Sequence, residues 1–506
     1  MNKFYITTPL YYVNANPHIG HAYTNVICDC MARFKRLKGD SVFFLTGTDE
    51  HGEKIKKASD IAGLSPLDFV GKVVNNFKEL WESLSISYDF FIRTTQDAHI
   101  DTVKKVIFKL NENGDIYKSK YNAFYCVPCE TFFSESQVRE ALGCPLCRRP
   151  VEEIKEENYF FRLSKYEGWL KKYLKDNPGF IKPLERCNEV TGFLDNNELN
   201  DLCISRPKTR VSWGIDFPLD SGYVVYVWFD ALINYISALG FPSGSNFKEF
   251  WPADFHFIGK DILRHHAVFW PIILRALGVE PPRTIFAHGW WKIGEEKMSK
   301  SRGNIVNPVE LVKNIGADCV RYFLLREIPP GLDGNFSWKA IITRINSDLA
   351  NDLGNLLYRS LNMVEKYFEG KIRPDSFEMP DVFKEPVYYL REKYSIFMEA
   401  VDFPSALDSI FKFISIMNKY IEDSKPWVMK KEGRLKELAA FLYSLLEGLR
   451  ITAIYLNPFI PEASCNILSQ LGLDIKESGM DKCSWAQYRV YAVKKTQPLF
   501  PRIEDE

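Results

Sequence analysis

A doubly wound parallel α/β sheet, interrupted by an insertion and followed by a helical bundle, is the architecture that three features of this 506-residue sequence predict. β-prone runs at residues 3–8, 41–46, 223–228, 254–258 and 283–287 alternate with helical patterns beginning near Pro17, Ser65, Asp97, Asp230 and Lys260. That alternation implies a parallel sheet covered by helices. Well over a hundred residues separate the second and third of these strands, too many for one crossover, so residues of about 116 to 214 read as an inserted domain. After Pro329-Pro330-Gly331 the β-like runs give way to apolar residues at helix spacing. Such a sheet is Rossmann-like, and its ligands bind beyond the carboxyl ends of the strands.

The first strand leads from Phe4 through Tyr12 into Asn16-Pro17-His18-Ile19-Gly20-His21. Asn16 suits an N-cap and Pro17 the first helical position, so a helix is expected to begin here with its unpaired N–H groups facing the strand end. His18 and His21, three apart, share a face and can donate to one phosphate, and Gly20 lets a ligand approach the backbone. Two histidines in an ordinary first turn are the alternative.

The central interval holds Cys126-Val-Pro-Cys129 and Cys144-Pro-Leu-Cys147, two knuckles fourteen residues apart with no histidine nearby. This spacing suits one tetrahedral zinc held by four thiolates, which leaves no open position and marks the ion as structural. The last strand runs into Glu295-Glu296-Lys297-Met298-Ser299-Lys300-Ser301-Arg302-Gly303-Asn304, whose lysines, hydroxyls and glycine suit a polyphosphate. A solvated basic turn is the alternative. Beyond it, Trp338, Ile341, Ile342, Ile345, Leu349, Leu353 and Leu356 form one helical stripe, and Leu435, Leu438, Leu442, Leu445 and Leu449 another; both read as core.

Sixty-five basic and 65 acidic residues cancel, so an RNA partner would need a local patch. The 46% apolar content argues for packed globular domains, roughly two to four of them, and against disorder. With no membrane span or leader in view, the protein is expected in the cytoplasm, where eleven cysteines do not make a disulfide framework.

The His-Ile-Gly-His run together with Lys-Met-Ser-Lys-Ser resembles the class I aminoacyl-tRNA synthetases. Within that class, Gly47-Thr48-Asp49-Glu50-His51-Gly52, Tyr226-Val227-Trp228-Phe229-Asp230-Ala231, His256-Phe257-Ile258-Gly259-Lys260-Asp261 and Lys425-Pro426-Trp427 resemble the methionyl-tRNA synthetases. The resemblance implies that His18, His21, Lys297 and Lys300 are catalytic and that Gly20 and Ser299 join them in binding ATP with Mg2+. It implies a methionine pocket of Leu10, Tyr12, Asp49, Trp228, Ala231, Tyr235 and His266, with Asp49 on the α-ammonium group. His265 stands where better-known bacterial members carry phenylalanine. Asn355, Arg359 and Trp427 match the family's anticodon contacts, a kit suited to splayed bases. The implied partners are ATP, L-methionine and initiator and elongator tRNA(Met), with no membrane, and a monomer is expected. The implied division is a catalytic domain at 1–115 and 215–325, the zinc-bearing insertion at 116–214, a linker at 326–345 and a helical anticodon-binding domain at 346–506.

Synthetases for leucine, isoleucine or valine are the near rivals, but they carry a large editing insertion, whereas the insertion here is about a hundred residues and holds a zinc knuckle. A zinc-knuckle RNA scaffold would not need both phosphate signatures, and a nucleotidyltransferase without tRNA would leave the helical end without a purpose.

Overall fold

In the computed structural model, residues 2–127, 131–133, 135–145, 147–293, 296–297, 306–474, 479–494 and 496–504 are described. Six neighbours of its seven-stranded sheet run, in spatial order, Phe90–Arg93, Ser41–Asp49, Lys3–Thr7, Phe255–Gly259, Ile285–His288 and Ile181–Lys182, with Tyr11–Tyr12 beside the end of Ser41–Asp49. Every pairing is parallel. The chain moves outward one way from Lys3–Thr7 and the other way from Phe255–Gly259, so the switch point lies between these two strands, where doubly wound sheets hold ligands. Alternation along the first strand serves both faces. Phe4 and Ile6 enter the core under the helix Ile19–Leu37, whereas Tyr5 enters the core on the opposite face.

The run at 223–228 departs from expectation. Only Tyr223–Val225 is a strand, it pairs antiparallel with Ser205–Pro207 outside the main sheet, and Val227–Leu232 is helical. A short apolar run has no period that separates buried strand from buried helix, and Tyr226, extended at ψ 131°, ends the first and starts the second. Within the central interval a four-stranded antiparallel sheet is built on Ile116–Cys126 and Glu152–Phe161, and Ile181–Lys182 returns to the edge of the main sheet.

The C-terminal helices include Asn355–Phe368, Asp381–Glu399, Phe403–Ser424, Leu435–Leu456 and Pro461–Gln470. The apolar stripes that begin at Trp338 and Leu435 are buried apart from half-buried Ile342 and those first residues, which are 47% and 45% exposed because each opens its helix beyond the packed faces. Leu435–Leu456 is long and apolar enough to cross a membrane, and 94% of its most apolar window is buried inside the bundle. Arg321 joins bundle to sheet: its guanidinium lies 2.7 Å from buried Asp29 of the helix Ile19–Leu37 and donates to the carbonyls of Pro458 and Phe459. Burial alone would raise the Asp29 carboxyl, but Arg321 and Arg33 hold it below its ordinary value.

Candidate functional site

The helix after the first strand begins at Ile19, and its N-cap is His18, not Asn16. Asn16 accepts from the side chain of Asn76 instead, at 2.7 Å. His18 is extended, and its Nδ1 accepts from Gly20 N at 3.1 Å while His21 Nδ1 accepts from His18 N at 3.3 Å. The two imidazoles thus form a reciprocal capping box, the arrangement usually made by a hydroxyl and a carboxylate. Their rings stack with centroids 3.8 Å apart, and Tyr11 and Phe77 pack on His21 at 4.9 and 5.5 Å. Because each Nδ1 is an acceptor, each neutral ring carries its proton on Nε2, so the pair presents two N–H donors at the helix start. A Cβ on Gly20 would come within 3.0 Å of the His18 ring, which is why the residue between them is glycine.

Asp49 closes the strand Ser41–Asp49 as the register partner of Tyr12, and both lie at the carboxyl end of the sheet. The following residue is immobilised: buried Glu50 receives Arg93 through both oxygens at 2.7 and 2.9 Å, together with the hydroxyls of Thr48 and Thr95. His51 Nδ1 then meets Asp230 Oδ2 at 2.7 Å, and His99 Nε2 meets Asp230 Oδ1 at the same distance. Asp230 is fully buried, which would raise its pKa, yet the two imidazoles hold it below the usual carboxylate value. This bridge fixes the helix Val227–Leu232, bearing Trp228 and Ala231, against the segment bearing Asp49. His51, His99 and Asp230 had no assigned role in the sequence reading, although the quoted Glu-His-Gly and Phe-Asp-Ala runs contain two of them.

Tyr235 donates its hydroxyl to His266 Nε2 at 2.7 Å, and His266 Nδ1 donates to Ile262 O at 2.9 Å. Both ring nitrogens are therefore occupied, and burial pushes the imidazole down to about 4. His265 stacks on Trp228 at 3.8 Å, 20° from parallel. These two histidines open a π-helical turn, His265–Phe269, a wide turn of the kind often found at functional sites. Leu10 is half-buried and packs against the same core as Tyr235.

Lys297 is described in its backbone alone, and Ser299 and Lys300 lie outside the described residues. Glu296–Lys297 pairs antiparallel with Trp291–Ile293, with Lys297 opposite Lys292, and Trp291–Ile293 pairs parallel with Gly334–Asn335. This hairpin starts beside the helix Ile19–Leu37: Trp291 packs edge-on against Tyr23 at 5.7 Å, and His288 Nε2 is 2.7 Å from the Thr24 hydroxyl. The backbone leading to Lys297 and the imidazoles at 18 and 21 therefore occupy the same end of the sheet.

In the insertion, the Sγ atoms of Cys126, Cys144 and Cys147 lie within 4.8 Å of one another, with 3.6 Å between the first and last; Cys129 lies outside the described residues. A tetrahedral zinc with bonds of about 2.3 Å spaces its thiolates about 3.8 Å apart, so this cluster fits zinc. Asn355 and Trp427 are exposed, and Arg359 is held 2.7 Å from Glu422, one helix turn before Lys425-Pro426-Trp427. The Arg359 ion pair links the helices Asn355–Phe368 and Phe403–Ser424, and Trp427 follows on the short helix Pro426–Lys431.

Residues 4–153 and 149–361 match the family described as tRNA synthetases class I (M), and residues 382–506 match the anticodon binding domain of methionyl tRNA ligase. The chain is 49% identical over 514 residues to a methionine–tRNA ligase of Clostridium tetani, covering 100% of this chain and 80% of that protein. It is also similar to Mycobacterium tuberculosis methionyl-tRNA synthetase in complex with methionyl-adenylate, with a TM-score of 0.95, 41% identity and coverage of 99% of this chain and 100% of that one. Against the apo form of the Mycobacterium tuberculosis enzyme the TM-score is 0.88 at 38% identity, covering 100% of this chain and 99% of that one. With the two-histidine helix start, the buried Tyr235–His266 pair and the helical C-terminal region in place, the chain belongs to the methionyl-tRNA synthetases of class I.

Proposed function

We propose that this chain joins L-methionine to tRNA(Met), initiator and elongator, in two steps at the switch-point crevice. In the first, a methionine carboxylate oxygen attacks the α-phosphorus of ATP, the bond to the β-phosphate breaks, and pyrophosphate leaves. In the second, the 2′-hydroxyl of the terminal ribose attacks the adenylate carbonyl, its proton passes to a phosphate oxygen of the leaving group or to solvent, and AMP leaves with the bonding electrons. Negative charge grows on the phosphate oxygens in the first step, and donors already aimed there lower the barrier without reorganising.

His18 and His21 supply two such donors through Nε2, with Gly20 beneath them. Lys297 and Lys300, with Ser299, would follow the departing pyrophosphate, and Mg2+ bound with ATP would neutralise part of its charge. Asp49 takes the α-ammonium group. Leu10, Tyr12, Trp228, Ala231, Tyr235 and His266 hold the thioether, a polarizable group suited to aromatic walls. One zinc on Cys126, Cys129, Cys144 and Cys147 would brace the insertion, taken as residues 116–214 between catalytic halves at 1–115 and 215–325. Past a linker at 326–345, the domain at 346–506 reads the anticodon with Asn355, Arg359 and Trp427. We place the protein in the cytoplasm as a monomer.

The stacked imidazole pair carries this assignment best, because its Nδ1 atoms are committed to the helix and its protons are therefore directed elsewhere. Pyrophosphate exchange into ATP with each of the twenty amino acids tests it. Exchange with methionine alone is expected; exchange driven by leucine, isoleucine or valine in its place would overturn it.

A further inference from the structure

Lys260 is the first residue past the core strand Phe255–Gly259, at the switch point, and Lys292 lies in the hairpin that continues to Lys297. A single carboxylate holds both. Asp333 Oδ1 lies 2.7 Å from Lys260 Nζ and accepts from Trp290 N at 2.9 Å, and Oδ2 lies 2.9 Å from Lys260 Nζ and 2.7 Å from Lys292 Nζ. Three further contacts support the same junction. The Lys260 ammonium sits 4.2 Å above the Trp290 ring, Trp290 Nε1 donates to Asp261 Oδ1 at 3.0 Å, and a Cβ on Gly289 would lie 2.1 Å from the Leu332 carbonyl oxygen. Residues 332–335 thus press on the hairpin's entrance through backbone contact, strand pairing and charge.

We infer that Asp333 is a positioning residue for methionine activation: by bridging Lys260 and Lys292 it ties the hairpin that carries Lys297 to the rigid end of the sheet. Asp333 touches neither of the proposed reacting groups. It acts through the hairpin, and its replacement leaves the methionine pocket as it was. The energetic sense is that a catalytic group displaced by about an ångström loses roughly a hundredfold in rate, whereas uniform loosening of a surface ion pair costs little. The inference rests on the assignment of Lys297 to the phosphates.

The experiment is single-turnover adenylate formation, with the ATP and methionine dependences, in Asp333→Asn, Asp333→Glu, Lys292→Gln, Lys297→Ala and the Asp333→Asn/Lys297→Ala double variant. Asp333→Asn is expected to slow the step roughly tenfold to a hundredfold, with the methionine KM within about twofold of the parent. Lys292→Gln is expected to share part of that loss, Asp333→Glu to recover part of it, and the double variant to be no slower than Lys297→Ala alone. Parent-like rates in both Asp333→Asn and Lys292→Gln, or losses that multiply in the double variant, would overturn the inference. So would a proportional fall in every parameter together with a lower melting temperature. A parent-like Lys297→Ala would instead refute the phosphate assignment itself, so the two failures are distinguishable.

Discussion

His18 performs two tasks that substitution can separate. Its Nδ1 caps the helix and its Nε2 proton is directed away from it. Asparagine caps as well as any residue but offers nothing at the Nε2 position. His18→Asn is therefore expected to melt within a degree or two of the parent while adenylate formation slows roughly a hundredfold or more; His18→Ala should lose the same rate and also about 1 kcal/mol of stability. Thermal melting beside single-turnover kinetics checks both. The sequence made the pair legible but misplaced the cap, because Asn16 and His18 both precede the helix and propensity favours asparagine. What decided against Asn16 was its bond to Asn76, sixty residues away and invisible to local reasoning. Asp230, His51 and His99 were overlooked for a similar reason: each is an ordinary residue until the fold brings two imidazoles onto one buried carboxylate.

At the scale of elements, the strands that flank the switch point were legible because they are long, apolar and followed by helix signals. The edges, Phe90–Arg93 and Ile181–Lys182, were not, since four-residue and two-residue strands carry no period. The π-helical turn at His265–Phe269 has no sequence signature either, although its two histidines drew attention. The cysteine knuckle is the opposite case, a spacing rule that needs no tertiary information. Chelation of zinc is expected to release about one ion per chain and to raise amide exchange in Thr131–Phe133 and Glu135–Ala141, leaving Phe255–Gly259 protected. Equal loss of protection in that core strand would show that the ion supports more than the insertion. The anticodon assignment also belongs to this scale. Trp427 is 47% exposed on its short helix, so Trp427→Ala should barely alter the melting temperature. Aminoacylation should fall far more than pyrophosphate exchange; equal losses in both would point to damaged folding.

For the whole molecule, buried imidazoles shape the response to pH. Burial lowers the pKa of His256, His266 and His288, to about 4 for His266, against about 6.5 in an unfolded chain. The unfolded state then binds more protons than the folded one below about pH 6.5, so this stability is fully present above that value and is lost as pH falls toward 4. Asp318 works the other way. Burial raises it to about 6, so its contribution falls as pH rises from about 4 to 6. With His265, lowered to about 3, the depressed imidazoles number four against three carboxyls raised by burial, Asp254, Asp318 and Asp352, and the melting temperature is expected to decline from near neutrality downward; a flat profile between pH 7 and 5 would contradict these environments. The same core connects the two halves, since one continuous apolar cluster runs from the helix Ile19–Leu37 into the C-terminal bundle and is closed by Asp29 and Arg321.

The proposed activity depends on two distant basic segments meeting over one triphosphate at the switch point. A crystal structure of the protein with methionine and a non-hydrolysable ATP analogue measures this directly. It is expected to place the α-phosphate within hydrogen-bonding distance of Nε2 of His18 and His21, with Lys297 Nζ on the β- or γ-phosphate. A triphosphate bound elsewhere, or one that reaches the imidazoles while Lys297 stays out of range, would contradict it.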